Sequence, residues 1–309
     1  MNLGATNAAL DKLLTDKQTE RLRQLNALER LLFRKLFEEI RPSLTEKDGV
    51  IVSRIGFVPL GKIVDRVFDA IEERGLQALS ARTARDMKSV VDMNASYYRV
   101  IAVNRGVSFE ALQASVDATM RRRLGIGDNG EPKSGGYITG LFGTGAAREE
   151  VKKMMSKAIE AKIPLRKLKK RLALAVVGTD ETRGVLEKHI GNALVGVYNR
   201  ADHIVSNQFG QRLGMKYFVY SGGIIETSRQ FCRKKNGKVF SVEEAMRDWP
   251  TDPDLPRTKA EKDAGEVSDY HPLEDFGRWM GTSDTCRHRA LYIDEETAFA
   301  RRPDLRSGN

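Results

Sequence analysis

Cysteine is nearly absent from this sequence: the 309 residues contain two, Cys232 and Cys286. Two thiols cannot build a disulfide framework, so a reduced, cytosolic assembly setting is the simpler expectation. Long apolar runs are missing as well. The nearest, LALAVVG at 172–178, is far too short to span a bilayer. The opening MNLGATNAALDKLL has no basic stretch followed by an apolar core, so no signal peptide is expected. Histidine is scarce, and His189 and His203 lack the i, i+4 spacing of a helical metal pair; packing or surface roles are expected for both. No G-x-S-x-G elbow occurs, which argues against a Ser-His-Asp hydrolase. The eight glycines of 125–145 include Gly140-Leu-Phe-Gly-Thr-Gly145, but no lysine stands at the phosphate position and a helix, not a strand, precedes. That stretch reads as a flexible loop or interdomain connector. No repeat, heptad or low-complexity tract stands out.

What is present is charge and helical periodicity. Lys and Arg number 52 against 42 Asp and Glu, a formal net charge of +10. Such an excess suits an anionic, nucleic-acid-rich environment, and a merely soluble basic surface equally. The densest cluster is RKLKKR, with Arg166, Lys167, Lys169, Lys170 and Arg171 on a helix expected from Pro164 onward. That face can neutralise DNA phosphates without reading bases; a solvated helix face is the alternative. The segment 17–41 carries Leu22, Leu25, Leu28 or Leu32, Phe33, Leu36 and Ile40 at a spacing of three or four, an amphipathic helix ended by Arg41-Pro42. Further helices are expected over 58–80, 82–104, 108–124 with Ser108 as N-cap, 146–160, 164–176, and a long 181–213 capped by Thr179.

The chain changes character after Gly214. KYFVY at 216–220 reads as a strand, and Gly222-Gly223 permits positive φ for a tight turn or bulge. TSRQ at 227–230 fits a capping box for a short helix through Phe231 and Cys232, stopped by Asn236-Gly237. KVF at 238–240 reads as a strand, and SVEE at 241–244 as a second capping box, for a helix ending at Trp249-Pro250. A core of Phe231, Val239, Phe240, Met246 and Trp249 is expected. A long polar excursion over 251–284, an ordered surface loop or contact arm, then leads to TCRHRALYI at 285–293.

The ordered set YFVYSGGIIETSRQFCRKKNGKVFSVEEAMRDW followed by CRHRALYI resembles the C-terminal region of tailed-phage minor head proteins, the head-morphogenesis family of the Mu F type. Its carriers here are Gly222, Gly223, Ser228, Arg229, Phe231, Gly237 and Trp249, with the Cys-Arg-His near the end. The helical stretch 146–213, with VYNRAD, is similar in layout. The resemblance covers about the last half of the chain; positions 1–145 are alike only in being helical. It implies a non-enzymatic virion component made in the host cytoplasm, associated with the portal vertex or the head interior, acting in head assembly or in DNA packaging or ejection. The implied partners are the portal and major capsid protein, with packaged double-stranded DNA nearby, multi-copy attachment and no membrane. The alternative is a DNA-binding or DNA-processing, nuclease-like phage protein.

The fold expected is mainly α with a small C-terminal α+β module: an elongated helical body, then a compact strand–helix–strand–helix unit. The divisions are 1–124 helical, 125–145 glycine-rich linker, 146–213 helical and 214–309 α+β. Cys232, His271, Cys286 and His288 are the right ligand types for a closed structural zinc site. Arg233-Lys234-Lys235 leave the knuckle after Cys232 incomplete, however, and the wide gap between the two cysteines gives no signature. Two reduced, neighbouring buried thiols with a hydrogen-bonded His288, or a disulfide in released virions, are the other readings. CRHR with His271 has the histidine of a metal-dependent nuclease but no paired histidines or carboxylates beside it.

Overall fold

A computed structural model describes residues 3–47, 49–53, 57–226, 228–254 and 287–306. The molecule is mainly α with a small C-terminal α+β module. Helix α1 runs Leu3–Ile40, well before the start expected at position 17. Its buried stripe is Leu10, Leu14, Gln18, Arg21, Leu25, Glu29, Leu32, Leu36 and Ile40, while Leu22, Leu28 and Phe33 flank it half-buried. Upstream of position 17 the apolar pattern is thin: between positions 4 and 16 only Leu10, Leu13 and Leu14 are large and apolar, and Gly4, Thr6 and Asn7 are weak helix formers. Pro42 ends the helix in a short 3-10 turn, Arg41–Ser43.

Contacts divide the chain into two interleaved units. One comprises 18–84 and 131–194. It holds a hairpin of β1 (Leu44–Lys47) and β2 (Val50–Ser53), then α2 (Phe57–Ile71), which passes through a π turn, Glu72–Leu76, into the first turns of α3 (Gln77–Asn104), most of which belongs to the other unit. The break expected near position 81 is therefore absent. Gly75 sits in the π turn where a Cβ would lie 2.6 Å from the Leu28 side-chain terminus, a close approach that a larger residue would meet by turning the leucine aside. Short α5 (Tyr137–Leu141), α6 (Gly145–Glu160) and α7 (Leu165–Val177) complete this unit. Arg148 on α6 reaches Asp69 at 2.6 Å and Glu72 at 2.8 Å, and Lys152 reaches Asp65 at 2.8 Å, fastening α6 to α2. The glycine-rich stretch is not a free loop: Ile126, Ile138 and Phe142 within it are all buried.

The helix expected from 181 begins only at Val185. The Thr179 hydroxyl accepts from the backbone of Glu181 and Thr182 and closes a turn instead of capping the helix. The acceptor at the helix start is Glu29, 158 positions away, which takes the Glu187 N–H at 2.8 Å. Sequence windows could not show this, because the cap is tertiary. Burial lifts the Glu29 carboxyl to about 7, against the opposing pull of backbone N–H donors. A raised carboxyl pKa means the fold favours the protonated acid: its contribution is complete below about 4.5 and is lost as pH rises through 7. Glu29→Gln keeps a hydrogen-bonding side chain without the titration. The native protein should therefore lose on the order of 2 kcal/mol more than Glu29→Gln between about pH 5 and pH 8. Chemical denaturation across that range reads it, and parallel pH profiles would contradict it.

The other unit comprises 1–17, 85–130 and 195–309. It contains α4 (Phe109–Leu124) and most of α8 (Asn192–Arg212), which follows a second π turn at Glu187–Gly191. Ser108 stands at the N-cap of α4 without a side-chain cap bond; Gly125, at φ +68°, ends it left-handed. The C-terminal elements are β3 (Tyr217–Ser221), α9 (Gln230–Lys235), β4 (Val239–Ser241), α10 (Val242–Asp248), β5 (Arg289–Ile293) and α11 (Glu295–Arg301). The sheet is antiparallel in the order β4-β3-β5, with Phe218 opposite both Phe240 and Tyr292. Tyr217, Val219, Val239 and Ile293 form one face and pack with Ala298 and Phe299 of α11. Both faces are covered, so YFVY is an unbroken apolar run and not an alternating one.

Candidate functional site

The residues carrying the C-terminal pattern meet around Trp249. Its indole is 1% exposed and contacts four rings edge-on: Phe231 at 5.2 Å, Phe240 at 5.4 Å, Tyr220 at 5.5 Å and Phe218 at 5.6 Å. Edge-to-face pairs bring the positive rim of one ring to the negative face of another, about 0.5–1.5 kcal/mol each beyond area burial. Helix α10 delivers the tryptophan. Its capping box is complete: the Ser241 hydroxyl takes the Glu244 N–H at 2.9 Å, and the Glu244 carboxylate faces the Ser241 N–H. Lys235 lies over Phe231 at 4.8 Å and pairs with Asp252 at 2.8 Å, closing the box with a cation. Met246, expected in this core, is instead exposed on the outer side of α10. On a helix of under two turns, one residue's rotation decides the face.

Two local expectations are corrected. Neither Gly222 nor Gly223 adopts positive φ. A Cβ at Gly222 would lie 2.6 Å from the Arg287 carbonyl oxygen and the His288 Cα, while one at Gly223 meets open space. Gly222 thus serves close backbone approach, not a turn. The capping box read at 227–230 is not what starts α9: Arg229 is the N-cap, without a side-chain cap bond. Ser228 instead accepts from the Ile225 N–H at 2.8 Å, and Thr227 lies outside the described residues. Arg233 donates to the carbonyls of Ser228, Ile225 and Glu226, stitching the connection before α9. Gly237, at φ +77°, does end the helix left-handed, and its N–H reaches the Tyr220 carbonyl at 2.7 Å. Gly222→Ala should cost about 1–3 kcal/mol because backbone, not a pliable side chain, stands in the way. Gly223→Ala should be nearly silent, and equal effects in thermal unfolding would contradict this.

Cys232 and His288 both contact one phenol, that of Tyr220. The Tyr220 hydroxyl lies 3.4 Å from the Cys232 sulfur, and the His288 ring stacks on Tyr220 at 5.0 Å and 17°. Both residues are buried. His271 and Cys286, the other two zinc candidates, lie outside the described residues. Among the described residues no group of three His, Cys, Asp or Glu side chains is arranged to hold a metal. Away from the module, His189 bonds Glu150 at 2.9 Å and His203 is buried.

Sequence reasoning missed the polar junction behind the sheet. Arg289, whose side chain is fully buried, donates to Asp202 at 3.0 Å, Asp11 at 2.8 Å and the Asn7 side chain at 3.0 Å. Burial opposes its charge, yet Asp202 and Asp11 outweigh that and hold its pKa above the usual guanidinium value. Asn94 of α3 donates to the second Asp202 oxygen at 2.9 Å. Side chains also serve the β5 backbone: Ser206 donates to the Ala290 carbonyl, Tyr97 to the Tyr292 carbonyl, and Tyr98 accepts the Tyr292 N–H. This side-chain ladder takes the place of a fourth strand on an edge that would otherwise be open. Burial holds the Tyr97 and Tyr98 phenols protonated. The available signal was a polar row on α8, Asn199, Asp202, Ser206 and Asn207, overlooked beside its apolar stripe.

On α7 the five basic residues Arg166, Lys167, Lys169, Lys170 and Arg171 are all exposed or half-exposed, and Leu168, Leu172 and Val176 are buried. No helix among the described residues is long and apolar enough to cross a membrane. Comparison of the chain with family models, curated proteins and solved structures finds no match.

Proposed function

We propose that this chain is a non-enzymatic minor head protein of a tailed bacteriophage, bound at the portal vertex or within the head and acting in head assembly or in DNA packaging or ejection. The observation that carries the reading is the convergence of Phe231, Gly237 and Trp249, with Tyr220, on one aromatic interior. These are the residues on which the resemblance rests, and in this fold their work is packing. Gly222 and Arg233 act alike, fitting backbone to backbone and pinning a connection. Such a knob presents a rigid surface, which suits docking. Co-expression with the portal protein of the same genome, followed by affinity capture and size-exclusion chromatography, tests the proposal. A stable co-eluting complex is expected, weakened when Trp249 is truncated. Elution apart from both portal and major capsid protein would contradict it.

A further inference from the structure

We infer that the exposed face of α7 is a contact surface for the sugar-phosphate backbone of double-helical DNA, without sequence preference. With the periodicity of an α-helix, Arg166, Lys167, Lys169, Lys170 and Arg171 cover more than half of the helix circumference, opposite and beside the buried stripe of Leu168, Leu172 and Val176. The helix contains no acidic residue. Among the described residues no carboxylate lies within ion-pairing distance of these five, while Lys12, Lys88, Lys188 and Arg148 elsewhere are paired. Lys169 alone is partly engaged, over the Phe37 ring at 5.1 Å. The cluster is therefore charge left unneutralised by the fold.

Geometry selects the partner. The span from Arg166 to Arg171 rises about 7.5 Å along the helix axis. A DNA duplex carries one phosphate charge per roughly 1.7 Å, so the face opposes about four. A membrane surface would require an apolar face to insert, and here that face is buried in the unit's interior. A protein partner would require aromatic or apolar anchors amid the charge; only Leu174 is exposed there. The inference rests on the charge and burial of α7 and not on the head-protein proposal. Portal capture tests the one and DNA titration the other, and each can fail alone.

The test is fluorescence anisotropy of a random-sequence duplex titrated with the full chain between about 50 and 200 mM salt. The expected plot of log Kd against log salt has a slope of roughly 4, from four to five neutralised phosphates. Arg166→Gln, Lys167→Gln, Lys170→Gln and Arg171→Gln combined should flatten it by about 3 to 4 and weaken low-salt binding at least about tenfold. A second variant, Lys35→Gln, Lys88→Gln, Lys216→Gln and Arg247→Gln, removes the same charge from exposed side chains that already have carboxylate neighbours. It should change the slope by less than about 1. An equal effect of both variants would assign binding to diffuse net charge and overturn the inference. So would capture by phosphatidylserine vesicles with no duplex binding, or a single preferred duplex sequence.

Discussion

Arg289→Met should destabilise the molecule by about 3–5 kcal/mol, because it strips the partner from a carboxylate that is itself buried. Asp202 is 1% exposed, and with Arg289 gone only Asn94 remains on it among the hydrogen bonds described above. The loss has a second part. Arg289 ties β5 to α8 through Asp202 and to the first turns of α1 through Asp11 and Asn7. Arg289→Lys should recover little, since one ammonium cannot reproduce a planar fork serving acceptors on two elements. Arg289→Met combined with Asp202→Leu should regain much of the loss, because replacing both members of a buried pair by apolar side chains is often close to neutral. Urea denaturation of the native protein, the two single variants and the double variant forms the cycle. Losses that simply add would show that the pair is not the source of the effect.

Trp249→Ala should cost about 3–5 kcal/mol, at the upper end of large-to-small core changes. Four edge-on ring contacts vanish at once, and the vacated space is bounded by rings fixed on β3, β4 and α9 that cannot collapse into it. Trp249→Phe keeps an aromatic body and should lose about half as much. Near-UV circular dichroism and thermal unfolding read both. If the alanine protein unfolded within about 1 kcal/mol of the native one, Trp249 would not be the centre of the module.

Much of the fold was legible in the sequence where structure is decided locally. The helices over 108–124, 146–160 and 164–176, strand β3, the Ser241 capping box, the Gly237 stop and the burial of Phe231 and Trp249 all depend on periodicity or short-range chemistry. What could not be read depends on partners distant in the chain. Glu29 caps a helix 158 positions later, Gly222 answers to the backbone of His288, and Arg289 answers to Asp202 and Asp11. VYNRAD enters the sequence reading only as part of a similar helical layout and CRHR for its cysteine and histidine, while their Asp202 and Arg289 form one ion pair that exists only in three dimensions. The early start of α1 was hidden for a different reason: between positions 4 and 16 its large apolar residues are only Leu10, Leu13 and Leu14, beside the weak helix formers Gly4, Thr6 and Asn7.

The proposal that this chain is built into a phage head is tested most directly by the protein composition of purified particles. Proheads and mature virions of the phage encoding it, separated on a gradient and digested for mass spectrometry, should contain the chain at a fixed, low ratio to the major capsid protein. Its absence from both, with the chain recovered only in the soluble fraction of the lysate, would contradict the account.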